Sequence, residues 1–169
     1  MPYDDQTELF YLVDKNDKIL GSIARKQAHK DKTKIHRAVY VVVTNSKNQI
    51  LLQKRSQHKD TNPGYWAMSV GGHVTHGQTY KQAVQREIKE ELGISPPLTF
   101  IAKELYDLGT EQEYSYIYDA AIEKTPTNFD KTEVTQVKWV NIKDLPEFIK
   151  KENVTPGCKC VLKTIGYIN

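Results

Sequence analysis

The sequence predicts an α+β fold, a mixed β-sheet covered by a few helices. Strand-like segments outnumber helical ones, one amphipathic helix sits mid-chain, and more strand follows it. The 169 residues suit a single domain, 1–169, with its core over about 34–150. A chain of this length buries roughly 70% of its unfolded surface and needs no disulfide framework. Hydrophobic residues make up 38% and charged residues 27%, which excludes a disordered chain. The longest apolar run, 38–43, is far short of the roughly 20 residues of a membrane span. A net charge of +3 offers little to a nucleic-acid polymer, so neither that polymer nor a membrane is expected as a partner. The first five residues carry no basic or apolar stretch of a secretory leader, and a cytoplasmic location is expected. Cys158 and Cys160 are too few for a structural zinc site and too close for an ordinary disulfide.

The elements follow in order. Residues 9–14 read as a strand, and Asp14-Lys15-Asn16-Asp17-Lys18 turns it into a second strand from Ile19. Polar, basic residues 28–34 read as loop. The β-branched run 37–44, a turn at Asn45-Ser46-Lys47-Asn48 and a strand at 49–54 read as a hairpin. Residues 56–64, punctuated by Asn62-Pro63-Gly64, form a long connection of the kind that often carries function. The helix comes next. Thr79 caps it, Gln82 completes a capping box, and Gly93 stands at its C-terminal end. Val84, Ile88 and Leu92 form its buried stripe, and Pro96-Pro97 stops it. Strands at 99–107, 114–122 and 132–140 follow, then short helices at 142–150 and 158–168. Trp66 and Trp139 read as core.

The chemistry concentrates on the central helix. Glu87, Glu90 and Glu91 fall within about 100° of arc, beside the apolar stripe rather than opposite it. Such carboxylates repel by roughly 1 kcal/mol per pair in water, and more when desolvated. A hard divalent cation reverses that sign; a solvated acidic face is the bland alternative. Gly71 and Gly72, before the helix, let the backbone approach a ligand closely, and helix-start amides favour anionic oxygen. Lys54 and Arg55 end a strand where they could clamp phosphate or simply face solvent.

From Gly72 to Arg86-Glu87-Ile88-Lys89-Glu90-Glu91-Leu92-Gly93-Ile94, the segment resembles the Nudix box over 72–94. It departs only at Gln78, where the family has glutamate. The resemblance implies an α/β/α sandwich with the box as a loop–helix–loop beside the sheet. It also implies Mg²⁺- or Mn²⁺-dependent hydrolysis of a small-molecule diphosphate by water attack at phosphorus. Glu87, Glu90 and Glu91 then hold metal and carry catalysis, one glutamate helping to deprotonate water, and Arg86 orients a box carboxylate. At Gln78 the amide keeps its hydrogen bonding and loses its charge, which weakens support without killing the site. A homodimer would accord with the family.

A second resemblance covers about 8–145. His36-Arg37-Ala38, Leu51-Leu52-Gln53-Lys54-Arg55, Pro63-Gly64-x-Trp66 and Ser69-Val70-Gly71-Gly72-His73 are similar to the isopentenyl-diphosphate isomerase branch. That isomerase holds a metal with three histidines and two glutamates. His29, His36 and His73 fit the former, and Glu111 and Glu113 fit the latter. Read without the resemblance, His29 in its Lys-rich loop faces solvent and His36 is a polar residue at a strand start. His73 then positions the box loop, and Glu111 and Glu113 are turn residues, one of them a supplementary ligand to the box metal. The isomerase also needs a cysteine, and Gly71 stands at its position; the Ser69 hydroxyl cannot replace a low-pKa thiol. Hydrolysis is therefore expected, on a nucleoside-diphosphate-type or related substrate. Isomerisation of isopentenyl diphosphate is the alternative, and a non-catalytic nucleotide-binding module a second one.

Overall fold

A computed structural model describes residues 4–169; residues 1–3, part of the stretch read for a leader, lie outside them. The first hairpin is β1 (Leu9–Val13) and β2 (Ile19–Ala24), followed by one helical turn, α1 (Arg25–Ala28). The chain continues through β3 (Ile35–Thr44), β4 (Gln49–Arg55), β5 (Trp66–Ala67) and β6 (Val70–His73) into α2 (Tyr80–Leu92). Then come β7 (Thr99–Asp107), β8 (Gln112–Ala121), β9 (Val134–Asn141), α3 (Leu145–Lys151) and α4 (Pro156–Thr164).

The sheet is mixed, as expected, and β3 is its axis. β8 runs parallel to β3 along its whole length, from Ile35↔Gln112 to Thr44↔Ala121. β6 pairs antiparallel with residues 38–41 of β3, and β1 with Ile35 and His36. The expected hairpin forms but is short: β3 and β4 pair antiparallel at Thr44↔Ile50, after which β4 takes β9 and β5 instead. A strand buried on both faces, with Val39, Val41, Val42 and Val43, is satisfied by long-range neighbours rather than by its sequence neighbour.

Period-2 alternation sends side chains into two cores. Val39, Val41, Val43 and Leu51 pack under α2 against Val84, Ile88 and Leu92. Val42, Ile50, Leu52 and Ile117 face the other way, against Leu145, Val161 and Leu162 of α3 and α4. Trp66 lies in this second core, whereas Trp139 is only partly buried against the first. The helix α2 starts at the reciprocal Thr79/Gln82 capping box and ends at Gly93, whose φ is 67°.

Three expectations shift, and two short strands went unread. The stretch read as loop from residue 28 is helical up to Ala28. β5 and β6, two and four residues long, are too short to show a period. β8 begins at Gln112, so Glu113 is a strand residue rather than a turn residue. The last helix starts at Pro156, capped by the Thr155 hydroxyl, and stops at Thr164. Both cysteines are free thiols, and no helix among the described residues is long and apolar enough to cross a membrane.

Candidate active site

A cavity of about 680 Å³ opens where β6, α2 and the starts of β3 and β8 converge. Its acidic wall comes from α2, where helical spacing stacks Glu87 over Glu91. Glu91 is buried, accepting from the Gly71 N–H at 3.1 Å and the Gln53 amide at 2.6 Å. The Glu87 side chain is 13% exposed and sits where a Cβ on Gly72 would collide with its carboxyl group. Gly72 is thus required by close approach. Glu90, one step around the helix, is 55% exposed. Burial, with the Glu91 charge beside it, pushes Glu87 up to about 8; burial likewise pushes Glu91 up to about 7, despite its two donors.

Arg86 joins the box together. Its Nη1 lies 2.9 Å from both Glu87 Oε1 and Glu90 Oε2, while Nη2 donates to the His73 carbonyl at 3.1 Å. Gln78 Oε1 accepts from Arg86 Nε at 3.4 Å and Nη2 at 3.3 Å. The guanidinium therefore bridges four groups.

Beyond the acidic wall lies a cluster of imidazoles. The strand start places His36, β6 ends at His73, and α1 delivers His29. One ligand atom each from His29, His36, His73 and Glu111 lies within 4.8 Å of the others. Glu111 Oε2 is 3.2 Å from His29 Nε2 and 3.6 Å from His36 Nε2, yet Glu111 Oε2 and His36 Nε2 lack hydrogen-bond partners. Buried polar atoms left unpaired and pointing together fit a cation, and this donor set suits a borderline divalent metal. Burial drives His36 down to about 3 and His73 well below the usual histidine value, so both rings are neutral, as ligation requires. The Phe10 ring stacks on His73 at 4.4 Å and on His36 at 5.4 Å. The reading of His29 as solvent-facing is corrected: its side chain is 8% exposed, enclosed by Phe10, His36, His73 and Glu111.

Glu113, two residues after Glu111, pairs in register with His36. It accepts from the Tyr40 hydroxyl at 2.5 Å and from Ser115 Oγ at 3.1 Å. Burial and the Glu111 charge push Glu113 up to about 7. Glu111 thus groups with the histidines rather than with the box carboxylates.

The two candidate phosphate binders separate. Arg55 lines the cavity, its guanidinium anchored on the Thr61 carbonyl at 3.0 and 3.1 Å. Lys54 lies over the Trp66 ring, 5.6 Å from its centroid, since consecutive strand residues point to opposite faces. Ser69 Oγ is committed to backbone, bonding Leu51 O at 2.5 Å and Val43 N at 2.8 Å.

Residues missed by sequence reasoning complete the surroundings. Gln53 shares its strand face with Arg55, a period-2 signal that could have been read. Arg25 Nη1 lies 3.4 Å from His73 Nδ1 and pairs with Asp60, which stands 3.6 Å from His29 Nδ1. Lys59 pairs with Asp4 and, at 2.6 Å, with Glu133 at the cavity mouth. No local pattern announces these; they depend on how the 56–64 connection folds back.

A family model described as NUDIX domain matches residues 34–158. Isopentenyl-diphosphate Delta-isomerase 1 of Photorhabdus laumondii is 37% identical over 157 residues, covering 88% of this chain and 89% of that protein. A prenyl-diphosphate phosphatase of Methanosarcina mazei is 32% identical over 152 residues, covering 87% and 88%. A crystal structure from Deinococcus radiodurans superimposes with a TM-score of 0.76 at 25% identity, over 88% of this chain and 93% of the other. With the box carboxylates on α2 beside a mixed sheet between helices, these likenesses place the chain in the NUDIX domain family.

Proposed function

We propose that the chain is a metal-dependent hydrolase that cleaves the phosphoanhydride of an organic diphosphate by water attack at phosphorus. One observation carries this: the half-buried Glu87 and the buried Glu91 line one cavity, Glu87 seated against the backbone of Gly72. Two carboxylates brought together out of bulk water are stable when a dication balances them. Glu87, Glu90 and Glu91 would hold Mg²⁺ or Mn²⁺, and His29, His36, His73 and Glu111, with Glu113 beside them, a second ion. Bound metal neutralises phosphate charge and makes hydroxide available near neutrality. The protein's own groups do the rest: Arg86 fixes the carboxylates, Arg55 and the Gly72 backbone face the phosphates, and one raised glutamate accepts a proton from water. The prenyl-diphosphate phosphatase likeness supports an isoprenoid diphosphate alongside nucleoside diphosphates as substrate.

Isomerisation is the second reading, favoured by the histidine–Glu111 cluster and by the isomerase relatives. Against it, the position of the isomerase cysteine is Gly71, and the Tyr40 ring lies over it. The test is phosphate and pyrophosphate release from nucleoside, sugar and prenyl diphosphates with Mg²⁺ or Mn²⁺, beside an isomer assay. Release should vanish with chelator, and Glu91→Gln should lower turnover about a hundredfold and weaken Mn²⁺ binding in a calorimeter. Isomer formation without phosphate release would overturn the hydrolase reading.

A further inference from the structure

The lining of the cavity is not all charged. Ala67, Met68, Leu108, Pro156 and Gly157 line it, with the ring of Tyr40 among them. Tyr40 is wedged between two glycines from different elements. Its register partner across the sheet is Gly71, where a Cβ would lie 3.0 Å from the ring. On the opposite side, a Cβ at Gly157 in α4 would collide with its hydroxyl oxygen. The hydroxyl itself donates to Glu113. One large side chain and two absent ones thus share a single volume, and neither β6 nor α4 can fill it if the phenol is removed.

The geometry points to Tyr40 as the specificity-determining wall of this site: it closes the apolar end, so that the organic group of the diphosphate is a short, slender chain. The inference rests on the reading of the cavity as a diphosphate site. The diphosphate belongs at the charged wall, and a chain attached to it extends toward Met68 and Leu108 until it meets the phenol. The Glu113 bond holds the ring in one orientation, and the two glycines leave it no competitor for the space.

The test compares binding of dimethylallyl, geranyl and farnesyl thiolodiphosphates, which resist hydrolysis, to the Mg²⁺-loaded protein by calorimetry. The wild type should bind the five-carbon probe about tenfold more tightly than the fifteen-carbon one, because overfilling a packed pocket is costly. Tyr40→Ala should erase or invert that preference; Tyr40→Leu makes the same opening with less risk to folding. Tyr40→Phe, which keeps the ring and loses the Glu113 bond, should keep the preference. An unchanged ratio in both opened variants overturns the proposal, as does a wild type that binds none of the probes or ignores their length. Loss of the preference in Tyr40→Phe also overturns it, assigning the effect to Glu113 instead. Phosphate release by the wild type from the oxygen diphosphates is measured separately. Its failure removes the hydrolase reading while the binding ratios still judge the wall.

Discussion

At single positions, the glycines carry as much information as the charged groups. Gly72 has no φ that demands glycine; it is glycine because the Glu87 carboxyl occupies the place of a Cβ. Gly72→Ala should therefore displace Glu87, lower stability by about 1–3 kcal/mol and sharply reduce phosphate release. Urea unfolding together with the release assay checks both. Gly71 is tighter against Tyr40 than against the box, so a cysteine introduced there must push the ring aside. An isomerase test by Gly71→Cys consequently needs a smaller residue at position 40 as well.

Among the elements, α2 shows how local signals place a functional group. Its start is fixed by the Thr79 and Gln82 side chains, and its apolar stripe docks it on β3 and β6. That docking turns Glu87 and Glu91 inward and leaves Glu90 exposed. Thr79→Ala removes the cap about two turns from Glu87. It should cost about 1 kcal/mol in urea unfolding while turnover stays at the wild-type level. β3 illustrates the reverse, since its turn to β4 was legible but its full-length partner, β8, was not.

Across the whole molecule, the buried titratable groups set the pH response of the metal-free protein. Glu87 is raised to about 8, and Glu91 and Glu113 to about 7. Above the ordinary glutamate value the native state therefore holds more protons than the unfolded one, and stability falls as pH rises through that window. His36 and His73 are depressed, which works in the opposite sense below the ordinary histidine value of about 6.5. In chelator, thermal stability should peak near pH 5, where the three glutamates and two histidines offset one another, and fall toward pH 8, by about 1.4 kcal/mol per pH unit for each net proton involved. Mg²⁺ or Mn²⁺ should raise the melting temperature more at pH 8 than at pH 6, because the ion replaces those protons. Scanning calorimetry with and without metal tests this; a metal effect independent of pH would place the ion away from these carboxylates.

By itself, the sequence determined what short-range physics controls. Capping residues, the 3.6-residue stripe and Pro96-Pro97 delimit α2 to within a residue, and the glutamate spacing marks its functional edge. The 99–107 strand was legible from local composition. What only the tertiary structure decided is convergence. The His29 side chain is enclosed by Phe10, His73 and Glu111, Lys54 turns away from the cavity while Arg55 enters it, and Tyr40 meets both Gly71 and Gly157. Each of these depends on packing between distant segments, where the energy comes from buried contacts that no local pattern in the chain encodes.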